Sequence, residues 1–191
     1  MRAMAQLSKK SVFGLSFLCG LAIILALVFY NRPREKPWAK AHSFTSDIFI
    51  TEQINEGDIR AIRKQSFRTI IDLRPDGEAP DEVPSATIER TTHANGLSFF
   101  YVPVQHGTIP DSSVVALSDA IAKAPTPVLV YCRSGRRAAR TLSLVEASRA
   151  GGPDAAAILA MVRSVGQSAD DLSSEINERV AHRRPAPEAV R

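Results

Sequence analysis

The segment VLVYCRSGRRAAR, Val128 to Arg140, indicates the fold class and the position of the candidate site more clearly than any other part of the sequence. Four residues of strand-forming type lead into Cys132, small and basic residues predict a tight loop, and a helix-forming run begins after it. A strand, loop and helix start of this kind gather backbone N–H groups and a helix dipole at one point, which favours an anion. We therefore expect Cys132 to be a thiolate.

The loop after Cys132 has the composition of an anion-binding nest. Ser134 can donate a hydrogen bond to the sulfur, and Gly135 can adopt the positive φ that turns N–H groups inward. The basic residues are Arg133, Arg136 and Arg137. Arg137 is the candidate for holding an oxyanion bidentately, while Arg133 and Arg136 are expected to face solvent or tune the field. The alternative is a buried, inert cysteine with its arginines solvated on a helix face.

Composition limits the other classes of function. The chain has 191 residues and a net charge of +4, and much of the positive excess lies near its two ends. Because no RNA-binding aromatic signature or zinc-finger spacing accompanies that charge, we expect no nucleic-acid partner. Cys19 and Cys132 cannot build a disulfide framework. No Cys/His cluster predicts a metal, and we expect no cofactor.

Five segments follow from hydropathy and periodicity. Residues 12–30 form an uncharged run that would cover about 28 Å as a helix, close to a bilayer core of about 30 Å. Bulky residues at its end argue against a cleaved signal peptide, so we predict a single-pass N-terminal anchor in a lipid bilayer, with the side of the catalytic domain undetermined. The remaining segments are a tail (1–11), a linker (31–43), the globular domain (44–183) and a disordered tail (184–191).

Strands alternate with helices after residue 43, which predicts an α/β fold with a largely parallel central sheet and helices on both faces. The predicted strands are Asp47 to Ile50, Phe67 to Leu73, Leu97 to Val104 and Val128 to Tyr131. The predicted helices are Glu56 to Gln65, Pro84 to Asn95, Ser112 to Ala124, Arg136 to Arg149, Pro153 to Val165 and Asp170 to His182. Asn55 and Asp111 are the expected N-caps of the first and third helices.

The motifs QINEGDIRAI, TIIDLRPDGE, NGLSFFYVPV and VLVYCRSGRRAAR, in this order and spacing, resemble the phosphatase-like domain of beta-lactamase hydrolase-like proteins. That domain is similar in fold to dual-specificity protein tyrosine phosphatases, and sulfurtransferase activity has also been assigned to it. The resemblance covers roughly residues 44–149. It implies a thiolate enzyme with Cys132 as the nucleophile and Arg137 as the anion ligand.

Two departures from the tyrosine phosphatases leave the reaction open. Those enzymes place arginine six residues after the cysteine, where this chain has Ala138, and the spacing to Arg137 is instead similar to the shorter loop of rhodaneses. They also supply an aspartate as general acid from the loop after the strand that matches LSFFYVPV. Here that loop contains His106, which can donate a proton near neutral pH or be merely solvated. Asp111, the nearest aspartate, is better explained as a helix cap.

The segment after the second predicted strand offers a further group of polar residues at a strand's carboxyl end. Either they line the rim of the pocket, or the Pro75 to Glu78 segment is a turn with Arg74 and Glu78 paired across it. The residues concerned are Asp72, Arg74, Asp76 and Glu78.

Three functions remain. The first is a membrane-anchored, cysteine-dependent phosphatase that forms a phosphocysteine from a small phosphate ester or a phosphoprotein. The second is a sulfurtransferase that takes a sulfane sulfur from a donor onto Cys132. The third is a binding module that keeps the anion pocket without turnover.

Overall fold

The computed structural model describes residues 40–80 and 82–183. The predicted tail 1–11, the anchor 12–30, most of the linker 31–43 and the tail 184–191 lie outside these residues and stay predictions. Within the described residues, none of the helices combines the length and the apolar character that crossing a bilayer requires.

A five-stranded sheet forms the centre of the domain, in the order β1-β2-β5-β3-β4. Strands β2, β5, β3 and β4 run parallel, and β1 pairs antiparallel with β2. The α/β class and the largely parallel sheet are therefore confirmed, although the sheet is mixed. The strands are β1 (His42–Ser43), β2 (Ile48–Thr51), β3 (Thr69–Asp72), β4 (Ser98–Tyr101) and β5 (Val128–Tyr131).

Strand β1 corrects the predicted linker, whose end it occupies. His42 pairs with Ile50 and Ser43 with Phe49, so the folded domain begins before Phe44. The sequence did not predict this strand because it is two residues long and both of them are exposed. Its pairing uses main-chain groups, which leave no hydrophobic pattern.

In the part of the chain that the structure describes, six α-helices cover both faces of the sheet. They are α1 (Glu56–Lys64), α2 (Ser85–Ala94), α3 (Asp111–Lys123), α4 (Arg136–Ser148), α5 (Ala155–Ser164) and α6 (Ser173–Ala181), with a 3₁₀ turn at Asp170–Leu172. Helices α1 and α2 pack on one face through an apolar cluster that includes Ile59, Ile62 and Ile88. Helices α3 to α6 pack on the other face around a larger cluster. All six predicted helices are found.

The side chains of each strand alternate between these two clusters. Val128 and Val130 of β5 lie in the larger cluster, whereas Leu129 and Tyr131 lie in the smaller one. Because both faces are covered, the strand is apolar throughout, as expected for a buried parallel strand. Cys132 continues the alternation and returns to the larger cluster, on the side of α4.

The N-caps confirm one prediction and correct another. Asn55 caps α1: its side chain accepts a hydrogen bond from the Gly57 N–H, and the Asp58 carboxylate accepts one from the Asn55 N–H. Asp111, in contrast, is the first residue of α3 rather than its cap, which is Pro110 without a side-chain hydrogen bond. The Asp111 carboxylate instead pairs with Arg179 of α6, a tertiary contact that local sequence could not reveal.

The register of the parallel strands brings two loops together at one edge of the sheet. Asp72 of β3 lies beside Tyr131 of β5, and the Leu73 N–H donates to the Tyr131 carbonyl at 2.9 Å. The segment after β3 and the cysteine loop after β5 therefore begin side by side. Ligands in open α/β sheets bind beyond these carboxyl ends.

Candidate active site

The loop between β5 and α4 has the conformation that its sequence predicts. Gly135 has a φ of 77° and is the N-cap of α4. A Cβ atom at this position would lie 3.3 Å from Ile50 Cγ2 and 3.5 Å from the Thr51 carbonyl oxygen. Both the positive φ and this close approach therefore favour glycine.

The carbonyl and N–H groups of the cysteine loop differ in their hydrogen bonding. Two outside groups hold its carbonyls: the Gln53 N–H donates to the Arg133 carbonyl at 3.3 Å, and Gln167 Nε2 donates to the Ser134 carbonyl at 3.1 Å. In residues 40–80 and 82–183, nothing accepts a hydrogen bond from the N–H groups of residues 133–138. Successive free N–H groups at a helix start form an anion-binding nest.

A cavity of about 200 Å³ lies at this loop. Its walls come from the cysteine loop, from the first turns of α4 and from the segment after β4. It is lined by Gln105, His106, Gly107, Ile109, Cys132, Arg133, Ser134, Arg136, Arg137 and Arg140. Cys132, His106 and Arg137, the three predicted catalytic residues, therefore share one cavity although they are far apart in sequence.

The three predicted arginines differ in their surroundings. Arg133 and Arg136 are exposed, as expected, while Arg137 is largely covered. Arg137 Nη1 donates to the Leu73 carbonyl at 3.3 Å, and its Nη2 pairs with the Glu78 carboxylate. These two contacts hold the guanidinium beside the loop, and its remaining N–H groups are available for an anion.

The predicted rim residues Asp72, Arg74, Asp76 and Glu78 do not line this cavity, so the rim interpretation is wrong in its placement. The alternative, a turn with a paired arginine and glutamate, matches the structure: Arg74 Nε donates to Glu78 Oε2 at 2.9 Å. Asp76 accepts hydrogen bonds from the N–H and the hydroxyl of Ser85 at 2.7 Å and so ties the turn to α2.

Arg74 and Glu78 nevertheless support the site from behind. Arg74 is 5 % exposed and contacts Glu82 at 3.5 Å as well as Glu78, and its Nη1 donates to Gln53 Oε1 at 2.9 Å. Gln53 holds the cysteine loop and Glu78 holds Arg137, so Arg74 connects both supports. Burial raises the pKa of Glu78, but hydrogen bonds from Arg137 and Arg74 outweigh that effect and lower it.

Asp72 is a buried carboxyl group next to this network. It is 2 % exposed, and its Oδ1 accepts a hydrogen bond from the Arg74 N–H at 2.8 Å. Burial raises its pKa to about 7, against the opposing effects of the Tyr131 hydroxyl and the Arg74 N–H. The carboxyl group is therefore largely protonated in mildly acidic solution, in contrast to the ionised Glu78 nearby.

Sequence reasoning missed Arg140, which also lines the cavity. Its Nη2 donates to Asp171 Oδ2 at 2.7 Å, and a second hydrogen bond joins Nη1 to Oδ1. The helical spacing from Arg136 to Arg140 is a signal that could have identified it, because residues four apart lie on one face of a helix. Gln53, Glu82 and Gln167 had no such signal, since they reach the site from distant segments. In the part of the chain that the structure describes, no cluster of three metal-ligating side chains occurs.

Known proteins share this architecture. The chain is 24% identical to a candidate phosphatase from Neisseria meningitidis, with a TM-score of 0.64, over 72% of this chain and 96% of that one. Tk-PTP aligns with a TM-score of 0.56 at 14% identity, over 77% of this chain and 99% of its own. These likenesses show a fold similar to that of the PTP-like phosphatases.

Curated sequences give a closer match over a shorter stretch. A beta-lactamase hydrolase-like protein of Xylella fastidiosa is 34% identical over 97 residues, which are 51% of this chain and 22% of that protein. The chain therefore spans about a fifth of the length of this relative. Residues 41–150 match the family described as the beta-lactamase hydrolase-like protein, phosphatase-like domain. The resemblance found in the motifs is thus confirmed, and the chain belongs to this phosphatase-like family.

Proposed function

We propose that this protein is a cysteine-dependent phosphatase that hydrolyses a phosphomonoester through a phosphocysteine intermediate. The observation that carries the proposal is the set of N–H groups of residues 133–138 around Cys132, for which the described residues offer no acceptor. Together with Arg137 they provide donors for the oxygens of a phosphoryl group. The family and the PTP-like fold support the same reaction class.

The reaction follows in two steps. The Cys132 thiolate attacks phosphorus, and the bond from phosphorus to the ester oxygen breaks as the phosphocysteine forms. A water molecule then attacks phosphorus, which releases inorganic phosphate and returns the thiolate. Throughout, the N–H groups and Arg137 stabilise the charge on the non-bridging oxygens.

The leaving oxygen needs a proton unless it is already a good leaving group. Among the described residues that line the cavity, His106 carries an imidazole, a side chain that commonly serves as a general acid. Asp111 does not line this cavity, and its carboxylate pairs with Arg179. We therefore assign His106 the role of general acid.

A paired assay on the purified full-length protein tests the reaction. We expect phosphate release from p-nitrophenyl phosphate, and we expect Cys132→Ser to lower it by at least about a thousandfold. Thiocyanate formation from thiosulfate and cyanide without phosphate release would overturn the phosphatase in favour of sulfur transfer, which the short spacing from Cys132 to Arg137 favours. Sulfate binding without either turnover would indicate a binding module.

The general acid has its own test in the same assay. His106→Ala should slow hydrolysis of phenyl phosphate by about a hundredfold and of p-nitrophenyl phosphate far less, because nitrophenolate leaves without a proton. Equal losses on both substrates would remove His106 from this role. His93→Ala, at an exposed histidine in α2, is the matched control.

We also propose that residues 12–30 anchor this domain in a membrane, on the basis of their hydropathy alone. The test is alkaline carbonate extraction of membranes from cells that express the full-length protein. Retention in the pellet is expected, and release of the intact protein into the supernatant would contradict the anchor.

A further inference from the structure

The lining of the cavity carries more positive charge than one phosphate group requires. Among the described residues that line it, four are arginines, Arg133, Arg136, Arg137 and Arg140, and none carries a carboxylate. The nearest acidic partners, Glu78 and Asp171, hold Arg137 and Arg140 without lining the cavity themselves. An incoming ligand therefore meets a strongly cationic surface.

Two of these arginines are held in place. Glu78 and the Leu73 carbonyl hold Arg137, and the Asp171 carboxylate holds Arg140 through two hydrogen bonds. The bond to Asp171 raises the pKa of Arg140. A guanidinium that is fixed in this way loses less conformational entropy when it binds an anion, and its other N–H groups are still free to donate.

The other two arginines are less closely paired: Arg136 helps to lower the pKa of Asp171, after the larger effect of the hydrogen bond from Arg140, but it forms no ion pair with a carboxylate in the described residues. In the described ranges 40–80 and 82–183, neither Arg133 nor Arg136 lies within ion-pair distance of a carboxylate. Arg136 and Arg140 are four residues apart in α4, so they lie on one face, about 6 Å apart along the helix axis. They extend the cationic surface from the cysteine loop along the helix.

One phosphoryl group leaves this extension unused. The loop N–H groups and Arg137 already supply donors for its oxygens, so Arg136 and Arg140 are available for another group. The cavity, at about 200 Å³, is also smaller than the roughly 300 to 1,000 Å³ of sites that enclose a drug-sized ligand. It therefore suits the charged end of a substrate rather than the whole molecule.

We propose that the substrate is a phosphate ester with a second anionic group near the scissile phosphate, and that Arg136 and Arg140 bind that second group. This inference rests on the proposed phosphatase function, and it names the class of substrate. Two sources of the second charge fit the chemistry, a further phosphoryl group and a carboxylate. Both accept the paired N–H groups of a guanidinium.

Calorimetric titration of the full-length Cys132→Ser protein tests this without turnover. The probes are methyl phosphate, with one anionic group, and inorganic pyrophosphate and phosphoglycolate, with two. At least one of the latter two should bind about tenfold more tightly than methyl phosphate, as expected for one added charge-assisted contact. Tighter binding of pyrophosphate than phosphoglycolate would identify a phosphoryl group, and the reverse order would identify a carboxylate.

Substitutions then locate the second group. Arg136→Gln and Arg140→Gln, each combined with Cys132→Ser, should remove the tenfold advantage and change methyl phosphate affinity by less than about threefold. Arg136 is exposed, so its variant tests the idea even if loss of the Asp171 pair unfolds the Arg140 variant. The matched control is Arg163→Gln: Arg163 contacts Asp170, next to Asp171, at 3.5 Å and does not line the cavity.

Equal affinity for all three probes would overturn the inference. So would an equal loss in the Arg163 variant, because it would attribute the effect to net charge rather than to a site. These outcomes are separate from failure of the proposed function, which is measured by phosphate release. A protein that fails to turn over phosphate esters can still show the two-anion preference in this titration.

Discussion

The loop after β3 and the loop after β5 leave neighbouring strands at the same edge of the sheet, but their polar groups are used differently. In the first, Arg74, Glu78 and Glu82 bond to one another and to Gln53. In the second, the N–H groups of residues 133–138 have no acceptor in the described residues. The first N–H groups of a helix lack an intrahelical acceptor and bond to a cap, to water or to a ligand instead, so the second loop is suited to a ligand and the first to supporting it.

The two loops are also connected. Glu78 of the first holds Arg137 at the start of α4, and Gln53, itself held by Arg74, donates its N–H to the Arg133 carbonyl. Substitutions in the two loops should therefore affect two different measured quantities. Changes in the first loop should lower stability, and changes in the second should lower anion binding.

The largest effect is expected from Glu78→Ala. It leaves the largely buried guanidinium of Arg74 with fewer partners and Arg137 without its carboxylate, so the free energy of unfolding should fall by about 3 kcal/mol. Urea denaturation measures this. Glu89→Ala, at an exposed position in α2, and Arg133→Ala in the cysteine loop should each change it by less than about 0.5 kcal/mol. Similar values for all three variants would refute the division of roles.

A pH-dependent effect is expected from Asp72. Its pKa is raised from 3.8 to about 7, so the folded state retains a proton that the unfolded state releases between these values. Stability should therefore fall as pH rises through this window, by about 3 kcal/mol between pH 5 and pH 8.

Asp72→Asn should remove that dependence, because an amide can still accept the Arg74 N–H but does not titrate. Urea denaturation at both pH values provides the comparison, with Asp119→Asn in α3 as an exposed control. If the Asp72 variant keeps the same pH dependence as the wild type, the carboxyl group is not the titrating group.

The smallest effects on stability are expected from alanine substitutions at one glycine in each loop, and these two variants compare the loops most directly. Gly77 and Gly135 both have positive φ, so alanine at either should cost about 1 to 2 kcal/mol. A Cβ at Gly77 meets nothing within 4 Å, whereas one at Gly135 approaches Ile50 and the Thr51 carbonyl. Gly135→Ala should therefore also weaken phosphate binding about tenfold by displacing the nest, and Gly77→Ala should leave it unchanged. Calorimetry decides, and equal affinities in the two variants would contradict this role of Gly135.

Local patterns predicted those parts of the site that are continuous in sequence. The strand, the loop and the start of α4 are specified by consecutive residues from Val128 onward. The four-residue spacing from Arg136 also indicated that Arg140 lies on the same face of the helix. The residues after β3 were recognised as polar and near the site, but their direction was not determined. Whether Glu78 faces the cavity or holds Arg137 depends on a partner 59 residues away in sequence.

By itself, the sequence determined the alternation of strands and helices, the position of Cys132 at a strand's carboxyl end and the glycine that shapes its loop. These features depend on hydrophobic periodicity and backbone preference, which act over a few residues. Only the tertiary structure decided that His106 shares the cavity, that Asp111 pairs with Arg179, that β1 joins the sheet and that Asp72 is buried beside Arg74. Each of these depends on which distant segments pack together, and burial and charge pairing take effect only after that packing.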